Sequence, residues 1–449
     1  MSERNLAPQR ARDWRFDLVR VVACVLVIVA HTTGQFQSEA QPTFEGIVAV
    51  VAHCLAHASV PLFFMTAGYF ALRNLRSSTE IGRFWRKRLR RIWIPTLFWS
   101  LVYLTLYFAM KSADGGWRAI DWSKLFRNWF WNGKPGAGYH LWFLYALIVL
   151  ELIAPWHAIW RRRRAADLTL LFIYIAIAVY TFKSGGDRSA IFIGALAVGY
   201  LPWYCVGAYS GVLLASERVE ELARGQSALA NLFHENKFKA QERVVERILP
   251  TQSKRPFPTV GNALLLTTII LAGIGYCFAF GGGREIVYMV ILAATFAPFL
   301  LRIALSGALT SIRANDPRRE LAATAIFAAI LGLAAMTATS YFVGYDYARS
   351  DFLPPCVLLA LGLWFYALTR PEKIAPKLGA ILEKLAALTY GIYVAHIAVL
   401  AVLTRATSRA FPDASPNVWG AFALSALTFV VSACVAALVK RIPFLRKMI

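Results

Sequence analysis

Long apolar runs alternate with short polar ones along most of the chain, and many reach the roughly 20 residues that a helix needs to cross the hydrocarbon of a bilayer. This pattern predicts helices near 16–35, 46–72, 93–111, 141–160, 167–183, 190–214, 260–280, 286–305, 321–341, 353–369, 387–404 and 418–439. The basic residues give an independent check, because loops on the cytoplasmic side collect Lys and Arg. Arg10, Arg12 and Arg15 precede the first run, a dense basic loop covers Arg73 to Arg91, and Arg161 to Arg164 follow the fourth run. Lys440, Arg441, Arg446 and Lys447 lie after the last. All fall on one side if both termini are cytoplasmic, and the opposite loops, Gln35 to Thr43 and Lys183 to Ser189, carry few charges.

Three segments interrupt the alternation. Residues 216–258 mix Glu217, Glu220 and Glu221 with Lys237, Lys239 and Arg243, and read as cytoplasmic helices before a Pro-containing return at Pro250 to Pro258. They divide the chain into an N-terminal membrane region (1–215), an insertion (216–258) and a C-terminal membrane region (259–449). Residues 112–140 hold Trp117, Trp122, Trp129 and Trp131, a composition that suits an interfacial aromatic belt or a short interfacial helix, and also a stacking platform for a glycan. The third is Ser77 to Arg91, expected to lie along the inner membrane surface.

Composition agrees with the spans. Of 449 residues 58% are hydrophobic and the mean hydropathy is +0.51, far too apolar for a soluble protein of this size. The formal charge of +23 sits in short runs between apolar segments, so its partner is the membrane's lipids and not nucleic acid. The six cysteines lie in or beside apolar runs with no CxxC pair, and read as packing residues. The first apolar run follows basic residues as a signal peptide would, but lacks a small-residue cleavage site and reads as a retained helix.

Ionisable side chains at membrane depth are the sites where chemistry or transport is to be sought. In the first helix Arg20 and His31 are eleven residues apart, about 16 Å on nearly one face, with Asp17 one turn before Arg20. Two readings fit: a reaction site, or Arg20 and His31 each reaching a membrane interface without chemistry. His53 and His57 stand at i and i+4, a metal-ligand spacing, but with no intervening Glu and no evident third ligand. A polar seam near the outer surface, beside the first helix, is the expected role. Arg83 to Arg91 could bind anionic headgroups or grip the phosphates of a nucleotide-bearing donor. His140 and Trp142 stand where an external loop enters the fourth span, Glu151 is an intramembrane acid in want of a partner, and Tyr393 and His396 lie in a late apolar helix. No GxSxG elbow, P-loop or strand-borne GxGxxG occurs.

Five motifs in order resemble the acyltransferase-3 family of bacterial integral-membrane acyltransferases. They are Asp17-x-x-Arg20 followed by His31; Val60-Pro-Leu-Phe-Phe-Met-Thr-Ala-Gly68; Arg88-x-x-Arg91 with Pro95; His140-Leu-Trp-Phe-Leu-Tyr145; and Tyr390-Gly-Ile-Tyr-x-x-His396. The resemblance covers nearly the whole membrane region outside 216–258. It implies an all-α fold, a polytopic membrane helix bundle of about 10 to 12 transmembrane helices in the bacterial cytoplasmic (inner) membrane, with both termini cytoplasmic. It implies an acyl-CoA co-substrate, most often acetyl-CoA, with no permanently bound cofactor and no metal, and a hydroxyl acceptor on a cell-envelope, secreted or lipid-linked saccharide. The residues matched by Arg20 and His31 are regarded as essential in the family, and the pair matched by Arg88 and Arg91 is implicated in function. Twelve spans exceed the family core of nearer ten, and Glu151 replaces a more usual neutral residue.

On that basis His31 is expected to be the general base that takes the acceptor's hydroxyl proton. Arg20 is expected to hold donor phosphates or orient Asp17, and Arg88 and Arg91 to grip CoA phosphates at the cytoplasmic mouth. Direct transfer and an acyl-histidine relay are both compatible with these residues. A secondary transporter or polysaccharide exporter, with Arg20, Glu151 and His396 along a pathway, would call for repeats between the two halves, and none is evident. A non-catalytic scaffold would tolerate loss of His31.

Overall fold

In the computed structural model the first apolar run is a helix, α1 (Trp14–Thr33), whose start is fixed by Asp13: its carboxylate accepts from the Arg15 N–H. The structure describes residues 12–36, 43–72, 81–113, 120–160, 193–208, 283–312, 317–348, 350–371, 373–413 and 417–449, with a few isolated residues between these stretches. The expected span at 167–183 lies almost entirely outside them, and those at 260–280 and in the 216–258 insertion lie wholly outside. The remaining helices are α2 (Phe44–Ala56), α3 (Ser59–Leu72), α4 (Ile81–Arg88), α5 (Ile94–Ala113), α6 (Trp122–Phe126), α7 (Trp142–Trp160) and α8 (Ile193–Gly199). There follow α9 (201–208), α10 (Gly283–Ile312), α11 (Pro317–Phe342), α12 (Tyr345–Ala348), α13 (Pro354–Leu368), α14 (Pro376–Ala410) and α15 (Val418–Val439). No strand occurs among the described residues.

Six stretches among the described residues are long and apolar enough to cross a membrane: Trp14–Thr33, Phe44–Ala71, Ile81–Ser112, Leu321–Phe342, Pro376–Ala410 and Val418–Val439. Three shorter apolar helices, Tyr139–Ile153, Ile286–Phe299 and Pro354–Leu368, accompany them. Two expectations change in detail. The span near 46–72 is two helices, because the turn at His57 and Ala58 separates α2 from α3. The basic stretch before the third span does not stand apart from it: α4 passes through a π-turn (Leu89–Trp93) directly into α5.

Both halves of the chain share one core. Phe16 of α1 stacks on Tyr69 of α3 at 3.8 Å and lies 5.8 Å from the Trp364 ring of α13, and α1 also packs along α14 and α15. Small residues set the closest approaches, as expected where helices associate through van der Waals packing. Gly68, the last residue of the second motif, faces Gly207 of α9 across such a contact: a Cβ on Gly68 would sit 1.8 Å from the Tyr204 carbonyl oxygen, and one on Gly207 would sit 1.7 Å from that of Met65. The motif's glycine is therefore a packing requirement.

The bundle has a basic end. There Arg12 pairs with Glu383 at 3.1 Å, the Trp14 indole donates to the Pro371 carbonyl at 3.1 Å, and the fully buried Arg15 donates to the Leu368 carbonyl at 2.8 Å. Lys440 donates to the Ala387 carbonyl, and Trp99 of α5 donates to the Met448 carbonyl at 2.8 Å. The start of α1, the end of α13, the early turns of α14 and the end of α15 thus meet on one side. His31 and the far ends of α1 and α14 lie on the other.

Gly68→Val forces a backbone shift, with an overpacking cost of at least about 1–3 kcal/mol. The expected result is a lower thermal midpoint or loss of the monodisperse peak, whereas Gly82→Ala, at an exposed α4 position with open space around it, leaves both unchanged. Single cysteines at Phe411 and Arg446 should react with an impermeant maleimide from opposite sides of sealed vesicles, since α14 and α15 each cross the bundle.

Candidate active site

Three histidines far apart in sequence meet at the end of the bundle away from the basic face. His31 lies in the last turn of α1, His140 in the short turn (Tyr139–Leu141) that opens α7, and His396 in the middle of α14. The His31 and His396 rings are 5.4 Å apart and the His140 and His396 rings 5.0 Å. His140 and His396 are buried at 2% and 0% exposure, while His31 is half-buried.

The turn before α7 is what seats His140. Gly136 takes φ +52°, and a Cβ there would stand 2.9 Å from Cβ of Tyr107 and 3.2 Å from the Tyr103 carbonyl, so only glycine lets the loop lie against α5. Tyr103 then brings its ring within 4.9 Å of His140, and its hydroxyl donates to the Val394 carbonyl at 2.6 Å. Tyr393 fixes the other side, donating from its hydroxyl to the His140 carbonyl at 2.5 Å. Tyr139, next to His140, lies half in solvent with its hydroxyl 3.4 Å from His31 Nδ1.

The ring nitrogens carry chemical information. His396 Nδ1 lies 2.5 Å from the Tyr393 carbonyl, which can only accept, so Nδ1 carries the proton and in the neutral ring Nε2 holds the free lone pair. Among the described residues, that Nε2 and both ring nitrogens of His140 have no hydrogen-bond partner of good geometry although they are buried. Buried polar atoms are ordinarily paired, and those left open mark places for a ligand or water. The cluster thus offers one half-buried imidazole and three unsatisfied ring nitrogens behind it.

Beside the cluster runs a second polar chain. Thr33, two residues after His31, places its hydroxyl 3.0 Å from His53 Nδ1, and His53 and His57 face each other at 3.1 Å. His57 Nδ1 stands 3.5 Å from the buried Asp351 carboxylate, which also accepts from the Tyr200 hydroxyl at 2.5 Å; Tyr345 contacts His53 Nε2 at 2.9 Å. This is the polar seam expected beside the first helix. Among the described residues no group of three or more His, Cys, Asp or Glu has the arrangement of a metal site.

The other sequence candidates lie elsewhere. Asp17 and Arg20 stand at the basic end, about 21 Å and about 16 Å from His31 along α1. Asp17 is buried and bound in forked fashion by Arg12, at 2.6 and 3.1 Å, with Arg20 at 3.8 Å. Arg20 lies over the Phe70 ring at 4.3 Å and is 28% exposed. Trp142 turns away from the histidines, towards Tyr200 at 5.8 Å. Arg91 is exposed, whereas Arg88 meets the fully buried Glu151 at 3.3 Å.

Sequence reasoning missed Tyr103, Tyr139, Tyr345 and Asp351 as neighbours of these histidines. Tyr139 could have been found as the residue preceding a motif histidine; Tyr103 sits in an unremarkable apolar helix and Asp351 in a short linker, with nothing in the pattern to mark them.

The family model described as "Acyltransferase domain" matches residues 13–311 and 253–437. No curated protein and no solved structure matches the chain. The two matched ranges together take in the three histidines, the basic end and nearly all the helices described above, so the chain belongs to the acyltransferase-3 family of membrane acyltransferases.

Proposed function

We infer that the protein moves an acyl group, acetyl in the first instance, from acyl-CoA to a hydroxyl of a cell-envelope or secreted saccharide, with His31 as general base. The observation that carries this reading is the His31–His140–His396 cluster, in which a half-buried imidazole is backed by buried ring nitrogens lacking hydrogen-bond partners among the described residues. His31 takes the proton of the attacking hydroxyl as its oxygen bonds to the thioester carbonyl carbon. The carbon–sulfur bond then breaks, and the imidazolium returns the proton to the leaving thiolate. An acceptor hydroxyl is also the type of group that can satisfy the open nitrogens of His140 and His396.

The basic end supports the donor's side of the reading. Arg20 and Arg91, with the exposed arginines around them, supply cations for CoA phosphates, and a basic face is the cytoplasmic face by the positive-inside rule. The donor would therefore enter opposite to the histidines, its thioester-bearing arm running along α1, with the acceptor approaching from outside in the bacterial inner membrane. Membership of an acyltransferase family favours this over transport.

Thioester turnover by purified protein, read as free thiol with acetyl-CoA and a preparation of envelope glycan, tests the assignment. His31→Ala should lose roughly 10²–10⁴ in kcat/KM, the usual contribution of a general base, while remaining monodisperse. The wild-type kcat/KM should fall towards low pH as the base becomes protonated. His396→Gln should also lose activity, and Tyr393→Phe should lose less, because it frees the His140 carbonyl without removing a ring nitrogen. Equal turnover by wild type and His31→Ala would refute His31 as the base.

A further inference from the structure

Outside the histidine cluster, the buried acid–base pair that joins two distant helices at an arginine motif is Arg88–Glu151. Arg88 opens the Arg88-x-x-Arg91 motif, and in a regular helix two arginines three apart would share a face and reach one ligand together. Here they diverge. The inward face of the segment carries Ile81, Phe84, Trp85, Arg88 and Ile92, while Arg83, Arg86, Arg90 and Arg91 are exposed. The π-turn Leu89–Trp93 begins directly after Arg88 and contains Arg91, and such turns recur at functional sites.

Arg88 is largely enclosed by protein, although its Nε has no hydrogen-bond partner among the described residues. Its guanidinium lies 3.3 Å from the Glu151 carboxylate and 5.2 Å from the Phe84 ring, and its side chain is 15% exposed against 0% for Glu151. Two indoles from the same segment close on the same residue: Trp93 donates to the Glu151 carboxylate at 3.2 Å and Trp85 to its backbone carbonyl at 3.1 Å. Four side chains on α4, the π-turn and α7 therefore form one clamp. A buried charge left without its partner is strongly destabilising, so neither member can leave cheaply to meet a substrate.

We propose that Arg88 is a positioning residue, locked by Glu151 onto α7, and that the donor's phosphates are met by Arg91 and the exposed arginines of α4, which the clamp holds in place. The kinetic part of this rests on the acyl-CoA reading above; the clamp itself does not. The presence of an acid at position 151 is thereby explained, since Glu151 is the counter-ion that makes a buried Arg88 tolerable at this depth.

The test uses full-length protein in detergent with Arg88→Met, Glu151→Leu, the double variant, Arg88→Lys and Arg91→Met. Thermal midpoints should drop with each single change at the pair, and the double variant should be more stable than the sum of the two drops, because it leaves no unpaired charge. Arg88→Lys, which keeps the charge, should recover much of the loss. With acetyl-CoA as the probe, Arg88→Met and Glu151→Leu should lower kcat together by about tenfold or more while KM stays within about twofold, the mark of lost positioning; Arg91→Met should raise KM. Additive drops in the thermal midpoint would overturn the clamp. A raised KM in Arg88→Met with an unchanged Glu151→Leu would overturn the positioning role and return Arg88 to the phosphates. A wild type inactive on acetyl-CoA would count against the functional reading alone, and the thermal midpoints would still decide the clamp.

Discussion

Inside a bilayer, water is not at hand to satisfy a charge or a hydrogen-bonding group, so each must find its partner within the protein. That constraint orders this structure. Among the described residues its intramembrane polar groups include three sets: Arg88 with Glu151 and two tryptophans, the chain from Thr33 through His53 and His57 to Asp351, and the three histidines. The first two each hold an opposite-charge contact, Arg88 with Glu151 and His57 with Asp351, although Arg88 Nε, Glu151 Oε1 and Asp351 Oδ1 have no hydrogen-bond partner among the described residues. The third has no carboxylate beside it and leaves three buried ring nitrogens open.

The helices that carry these groups are fixed by other means. Close approaches at Gly68 and Gly207 bring α3 and α9 together, and the fully buried Arg15 ties α1 to the end of α13 through a backbone carbonyl. The His396 imidazole is positioned by contacts beside it: Tyr103 donates to the Val394 carbonyl, and the Tyr393 hydroxyl ties this stretch of α14 to the His140 turn. The histidine site is thus assembled from rigid elements, with only the Tyr139–His140 turn contributed by a loop, and that loop is itself held on α5 through Gly136.

Much of the helix placement among the described residues was legible in the sequence because long apolar runs bounded by basic residues leave few alternatives. The helices at 14–33, 317–342, 354–368 and 418–439 lie within a few residues of their expected positions. The break at His57 and the π-turn at Leu89–Trp93 were not anticipated from the runs, although each precedes a proline, Pro61 and Pro95, that has no N–H for the carbonyl four residues back, at His57 and at Arg91. For the site, the sequence identified His31, His140 and His396 separately, on motif grounds, but could not tell that they adjoin. It likewise marked Glu151 as an acid needing a partner and Arg88 as a cation needing a ligand, without the means to join two residues 63 positions apart that meet only when α4 docks on α7.

A π-turn is in effect an α-helix that has absorbed one extra residue, and the one at Leu89–Trp93 lets a single continuous helix present two unrelated patterns. Upstream, the side chains are phased so that one stripe packs and the rest is cationic; downstream, the phase is reset for a lipid-facing span in which Leu97 and Leu101 point outwards. The two parts can then vary independently. Charges on the outer face of α4 can be gained or lost without disturbing the register of the span, which leaves the basic mouth open to change while the bundle it serves stays the same.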